Sequence, residues 1–268
     1  MPAVLRFLAA RDYQSMFPLA NYRTHGLNGT AKNAPTFWGR WSGGDLTDVL
    51  TVTNAGMLMP QCPTAPIVAP LAGRRLIGVI GPADQCHALR AIAGLVDVPC
   101  TLDRDEPHFL LDLADMTIPD GEGALIPFAD APRDLMLDWQ AHYDIEALGA
   151  TRADAEARAA EVYEHRVATG SHMVLMRGGV PVAKAGLNAQ LPDIVQVGGV
   201  FTPPDHRGQG YAKRVTALML AQACDRGVAR ATLFASGDIA ARAYIGIGFE
   251  RVGDWALTLF KGEQTAHV

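Results

Sequence analysis

The sequence predicts an α+β protein in two halves, each a mixed, mostly antiparallel sheet flanked by helices. Three observations carry this expectation. Short apolar runs of strand character recur along all 268 residues and are interleaved with helical patterns. Twice, a strand pattern passes through a glycine-bearing turn into an apolar helix, at 76–95 and again at 194–226. Between these stretches lies Thr117-Ile118-Pro119-Asp120-Gly121-Glu122-Gly123, dense in turn chemistry, which sets the boundary: one half is 1–121, the other 122–268.

Residues 3–26 read as a helical segment. Strand-like alternation follows in Phe37-Trp38-Gly39-Arg40-Trp41 and Asp48-Val49-Leu50-Thr51-Val52, and proline and cysteine crowd 60–70. Arg75-Leu76-Ile77-Gly78-Val79-Ile80 reads as a buried strand, after which Gly81-Pro82-Ala83-Asp84 opens a helix through Leu95. Two separate strands are expected at 100–102 and 108–113. They leave Asp105-Glu106-Pro107-His108 as the most polar cluster of this half, read as a surface turn, with a place facing a cleft as the alternative.

In the second half, 124–128 is strand-like and helices cover 132–148 and 151–169. The latter opens at Thr151-Arg152-Ala153-Asp154, which approximates a capping box. Runs at 173–176 and 180–187 flank Arg177-Gly178-Gly179, a hairpin signal. The remaining elements are a strand at 194–202, a helix at 210–226 with Gly227 beyond its end, a strand at 231–235, a short helix at 239–246 and a closing strand at 255–260.

Composition narrows the function classes. Hydrophobic residues make up 49% of the chain, enough to bury a large core, and the net charge of −5 offers no basic field for a nucleic-acid backbone. An amine or cationic substrate suits that charge better. Cys62, Cys86, Cys100 and Cys224 are widely spaced and form no zinc pattern, which fits reduced thiols in a cytoplasmic protein. The first ten residues lack the long apolar region of a secretion signal, and no apolar run reaches the roughly 20 residues of a membrane helix.

The chemistry concentrates in Gly198-Gly199-Val200-Phe201-Thr202-Pro203-Pro204-Asp205-His206-Arg207-Gly208-Gln209-Gly210-Tyr211-Ala212, where a strand runs through a glycine loop into a helix. The amides that open a helix have no partner within it, and the helix dipole adds partial positive charge, so this turn is suited to an anion. Gly208 and Gly210 permit close approach of that anion to the main chain.

Two motifs together resemble the GNAT superfamily of acyl-CoA-dependent N-acyltransferases. Arg207-Gly208-Gln209-Gly210-Tyr211-Ala212 fits every position of the family's pyrophosphate loop, and Ala240-Ala241-Arg242-Ala243-Tyr244-Ile245-Gly246-Ile247-Gly248-Phe249 resembles its helix ending in a tyrosine followed by Gly-Phe. The resemblance implies that Arg207, Gly208, Gln209, Gly210, Tyr211, Ala212 and Lys213 bind acetyl-CoA, and that Val200, Phe201 and Thr202 offer main-chain hydrogen bonds to its pantetheine arm. It also implies that Tyr244 is the catalytic acid that protonates the departing thiolate, a task suited to a phenol, which is protonated at neutral pH. Residues 124–260 carry the resemblance. The first half repeats the strand, glycine turn and helix order without the loop motif, and Pro82 lacks an amide donor, so it is expected to be a degenerate GNAT-like domain that does not bind CoA and shapes the acceptor site.

Two positions depart from the family pattern. Gly237 stands where many members have an asparagine, leaving that contact to Ser236 or Asp238, and Gln196 stands where some relatives place a glutamate base. An amide cannot take a proton, so the base is unassigned. No cysteine lies in either motif to relay the acyl group. The expected reaction is therefore direct attack of a primary amine, on a small molecule or peptide, on acetyl-CoA in a ternary complex, without a metal. Monomer and homodimer are both compatible with the sequence. Alternatives are acylation of a free amino acid by a longer acyl-CoA, and a non-catalytic acyl-CoA sensor.

Overall fold

The computed structural model describes residues 1–27 and 29–267. The chain forms two compact units, 1–107 with 253–268 and 108–252. The boundaries fall inside two strands, so each unit is discontinuous or bounded within a strand rather than at the polar turn of 117–123.

The first unit begins with α1 (Pro2–Ala9) and α2 (Met16–His25), between which residues 12–14 make a single 3-10 turn. A helical segment is expected over 3–26, and the break in it is local: α2 starts at Met16 with Pro18 in its first turn, where a missing amide costs nothing. Strands β1 (Pro35–Ser42), β2 (Asp45–Thr53), β3 (Met57–Gln61) and β4 (Arg75–Pro82) lead to α3 (Ala83–Ile92). β5 (Cys100–Asp112) is one continuous strand where two are expected. The sheet order within this unit is β1-β2-β3-β4-β11-β5, where β11 (Glu250–Thr265) is the last strand of the chain. β3 and β4 run parallel and β4 and β11 antiparallel, with Leu257 opposite Ile80. Leu50, Leu58, Leu76, Val79, Cys86, Leu89 and Phe260 form its core.

The second unit starts at His108 within β5 and continues through β6 (Ala124–Pro127), α4 (Arg133–Leu148), α5 (Arg152–Thr169), β7 (His172–Arg177), β8 (Val180–Gln190) and β9 (Ile194–Phe201). It is completed by α6 (Tyr211–Asp225), β10 (Arg230–Phe234) and α7 (Asp238–Ile245). Its sheet order is β5-β10-β9-β8-β7-β6, antiparallel except for the parallel pair β10/β9. A parallel pair needs a crossover, and α6 supplies it.

Local chemistry explains these elements. Thr151 caps α5: its Oγ1 accepts the Asp154 amide at 3.2 Å and its hydroxyl donates to Asp154 Oδ2 at 2.7 Å. Gly178 and Gly179 turn the β7–β8 hairpin at φ +57° and +81°, the signs a tight two-residue hairpin turn requires. One face of the sheet packs on α6 and α7 through Val195, Val197, Val215, Leu220, Leu233 and Phe249; α4 and α5 contribute Met136, Trp139 and Tyr163 to a second core with Phe128, Val174 and Phe201.

Candidate active site

The site begins with a ladder that stops short. β9 and β10 pair at only three positions, Ile194 with Arg230, Val195 with Ala231 and Gln196 with Thr232. Beyond Gln196, β9 stays with β8 as far as Phe201 opposite Lys184, while β10 stays with β5 as far as Phe234 opposite His108. The two parallel strands therefore part, and the main chain of 197–201 borders the gap. Register shifts in the β8–β9 ladder, between Lys184 and Gly186 and between Leu187 and Ala189, bend β9 at this point.

At the open end of the gap, residues 202–210 lead into α6. Gly208 and Gly210 sit at φ +75° and +78°, and a Cβ at either would meet no atom within 4 Å. Glycine is required here by the left-handed backbone rather than by crowding. Gly210 caps α6 without a side-chain bond, and the first intrahelical bond runs from the Arg214 amide to the Gly210 carbonyl at 3.0 Å. The amides of Tyr211, Ala212 and Lys213 thus precede the helical ladder and face outward with the positive end of the helix dipole. A cavity of about 520 Å³ opens beside them, lined by Gln209, Gly210, Tyr211, Lys213, Arg214, Arg177, Gly246 and residues 117–122.

Side chains around this opening are fastened to one another. The Tyr211 hydroxyl donates to Gln209 Oε1 at 3.0 Å and accepts from Arg177 Nη1 at 2.5 Å. Arg214 ties 117–122 to α6 by donating to the carbonyls of Pro119 and Glu122. Arg207 is turned toward α4, where its Nη2 donates to both carboxylate oxygens of Glu146 at 3.0 and 2.7 Å while Nε donates to the Thr202 carbonyl at 3.0 Å. The Arg207 guanidinium is thus committed within the protein, while the loop glycines and the first amides of α6 are left open. Ala212 lies in the first turn of α6, its carbonyl accepting from Thr216 Oγ1 at 2.9 Å.

Val200 and Phe201 lie on β9 as expected from the sequence, whereas Thr202, expected within the strand, follows its end. The Phe201 side chain is a core group packed at 5.9 Å from the Trp139 ring, so only its main chain is available to a ligand. Tyr244 lies on α7, 7% exposed, edge-on to Phe249 at 6.1 Å. Gly248 holds φ +115° against the Asp115 carbonyl, where an added Cβ would be 3.1 Å away.

Gln196 is 2% exposed; its amide donates to the Val197 carbonyl at 2.6 Å and its Oε1 is buried without a partner. The surface turn expected at 105–108 is not formed. Glu106 and His108 are strand residues, 5% and 2% exposed, because alternation along β5 turns them inward in spite of their polarity. Arg104 pairs with Glu106 at 2.5 Å. His108 Nε2 is 2.7 Å from Thr232 Oγ1, and burial pushes the imidazole down to about pKa 4. Arg177, Arg214 and 117–122 line the cavity without belonging to either motif; no local pattern marks them, since they reach it through β7, the α6 face and the turn before β6. Among the described residues there is no group of three or more metal-ligating side chains and no helix long and apolar enough to cross a membrane.

A crossover helix that opens with unpaired amides on a cavity belongs to the class of sites suited to an anionic group such as a phosphate. Comparison specifies it. Residues 133–249 match the model of the GNAT acetyltransferase family. The match supports an acyltransferase, and the matched family uses an acyl-CoA as cosubstrate. A GCN5-related N-acetyltransferase from Kribbella flavida superposes with a TM-score of 0.57 at 18% identity, covering 95% of this chain and 96% of that one. A Drosophila protein superposes at 0.59 with 12% identity, covering 95% and 94%. A tandem GNAT protein from the clavulanic acid biosynthesis pathway does so at 0.50 with 14% identity, covering 90% and 87%. These likenesses show the fold, a GNAT-like α+β architecture over nearly the whole chain. No curated protein matches the sequence.

Proposed function

We propose that the second unit transfers the acetyl group of acetyl-CoA to a primary amine, on a small molecule or a peptide, by direct attack within a ternary complex. The observation that carries the reading is the amino end of α6, with Gly208 and Gly210 at positive φ, opening on a cavity of about 520 Å³ where the parted β9 and β10 end. The amides of Tyr211, Ala212 and Lys213 take the pyrophosphate, with Arg207, Gly208 and Gln209 completing the loop around it. Lys213 and Arg214 supply cationic charge at the cavity wall. The main chain of Val200, Phe201 and Thr202 orients the pantetheine arm and with it the thioester carbonyl.

In the step itself, the amine nitrogen bonds to the acyl carbon, the carbon–sulfur bond breaks and the Tyr244 phenol delivers its proton to the thiolate. The phenolate recovers a proton from the amide nitrogen through solvent. Gln196 carries no charge at the position where a carboxylate base would serve, so the amine loses its proton to another side chain, through a water chain or before it binds.

Thiol release from acetyl-CoA over a panel of amines tests this. Release should depend on an amine, and Tyr244→Phe should lower kcat by about a hundredfold while leaving KM for acetyl-CoA within about twofold, the split expected for a group acting only in the transition state. A second reading, a non-catalytic acyl-CoA sensor, draws on Gln196 and Gly237, the two departures from the family pattern. Tight CoA binding without release on any amine would favour the sensor and contradict the transferase.

A further inference from the structure

The bend in β9 needs something to hold it. His172, Gly186 and Gly198 are cross-strand partners in one row over β7, β8 and β9. The imidazole of His172 lies over the two neighbouring strands: a Cβ on Gly186 would collide with three ring atoms, and a Cβ on Gly199 would come 2.6 Å from Nε2 and 3.2 Å from Arg166 Nη2. Gly199 has φ +62°, and the β8–β9 register shifts on both sides of Gly186. The ring is 3% exposed, lies edge-on to Phe128 at 5.8 Å and meets Ser171 Oγ at 2.9 Å through Nδ1, whereas Nε2 is buried without a partner.

Burial, reinforced by the neighbouring Arg166, Lys184 and His165, holds the His172 imidazole well below its ordinary pKa, so it is neutral. An unpaired buried ring nitrogen is unfavourable in itself. Shape therefore accounts for the ring's place better than hydrogen bonding does.

We infer that His172 is a steric wedge that fills the side-chain space vacated by Gly186 and Gly199, fixes the bulged course of β9, and so positions the main-chain groups that face the acyl-CoA arm. The inference rests on the acyl-transfer reading. The bulge lies between the last β9–β10 pair at Gln196 and the segment 200–202, so its geometry sets where the Val200 and Thr202 main chain points. Removing the ring leaves an empty strip between β8 and β9 into which the bulge can relax. His172 is accordingly a positioning residue, and it does not line the cavity at the start of α6.

Calorimetry on the full chain separates these two ends, with acetyl-CoA as one probe and adenosine 3′,5′-bisphosphate, which lacks the pantetheine arm, as the other. In His172→Ala the acetyl-CoA Kd should weaken by about tenfold, the equivalent of one or two main-chain hydrogen bonds, while the bisphosphate Kd stays within about twofold. His172→Gln, whose amide reaches the Nε2 position, should hold the acetyl-CoA Kd within about threefold of wild type. Where His172→Ala fails to fold by circular dichroism, Gly199→Ala serves instead and should show the same selective loss. Unchanged acetyl-CoA affinity in a folded variant, or equal loss for both probes, would overturn the wedge. Wild-type protein that binds neither probe would overturn the acyl-CoA reading itself, and the wedge with it.

Discussion

Burial decides what His108 does to the protein. Its imidazole is pushed from an ordinary 6.5 down to about 4 by desolvation alone, so the folded state keeps it neutral where the unfolded chain protonates it. The stability this contributes is complete above pH 6.5 and is lost as pH falls toward 4, a change of about 3 kcal/mol. Urea unfolding of wild type against His108→Phe between pH 7 and 4 measures it: the wild type should lose that much more, and parallel curves would refute the assignment. Arg207 illustrates the opposite situation. Because its guanidinium is bound to Glu146 and the Thr202 carbonyl at an exposed site, Arg207→Ala should weaken acetyl-CoA binding only about threefold in calorimetry. The glycine turn into α6 and the place of Tyr244 on a short helix were legible in the sequence because each belongs to a short motif. Burial at His108 and Glu106 was not, since Asp105-Glu106-Pro107-His108 read as a surface turn and only strand pairing makes β5 continuous there.

Among the elements, those specified by adjacent residues follow the sequence closely. The cap of α5 and the Gly178-Gly179 hairpin arise from contacts within a few residues, and both take the form expected. Thr151→Ala should cost about 1 kcal/mol of stability in chemical denaturation, through loss of the bond to the Asp154 amide. The parting of β9 from β10 has no such local signature. Which strand lies beside 197–201 depends on β5, β8 and β10 together, and its register depends on a ring contributed by His172 from β7. β3 was unexpected for a similar reason: Met57–Gln61 contains Pro60, yet its partners β2 and β4 hold it as a strand.

At the scale of the whole molecule, the last segment of the chain belongs to the first unit. Ala256, Phe260 and Ala266 complete the core built by Leu50, Leu58, Leu76 and Leu89, and β11 pairs with β4 from Trp255 opposite Pro82 to Thr265 opposite Arg75. Linear reading places 255–260 in the second half, because proximity in sequence is the only guide it has to sheet membership. Phe260→Ala should therefore destabilise the first unit by about 3–4 kcal/mol in thermal unfolding while acetyl-CoA binding persists; loss of binding with an unchanged unfolding transition would contradict that placement. The central claim, that the amino end of α6 holds the pyrophosphate of an acyl-CoA, is tested most directly by calorimetric titration of acetyl-CoA into wild type and Gly210→Glu. Gly210 is at φ +78° with open space around it, so the substitution adds backbone strain and sets a carboxylate among the α6 amides. The account predicts binding to wild type and none to a folded Gly210→Glu protein, and equal affinity in the two would contradict it.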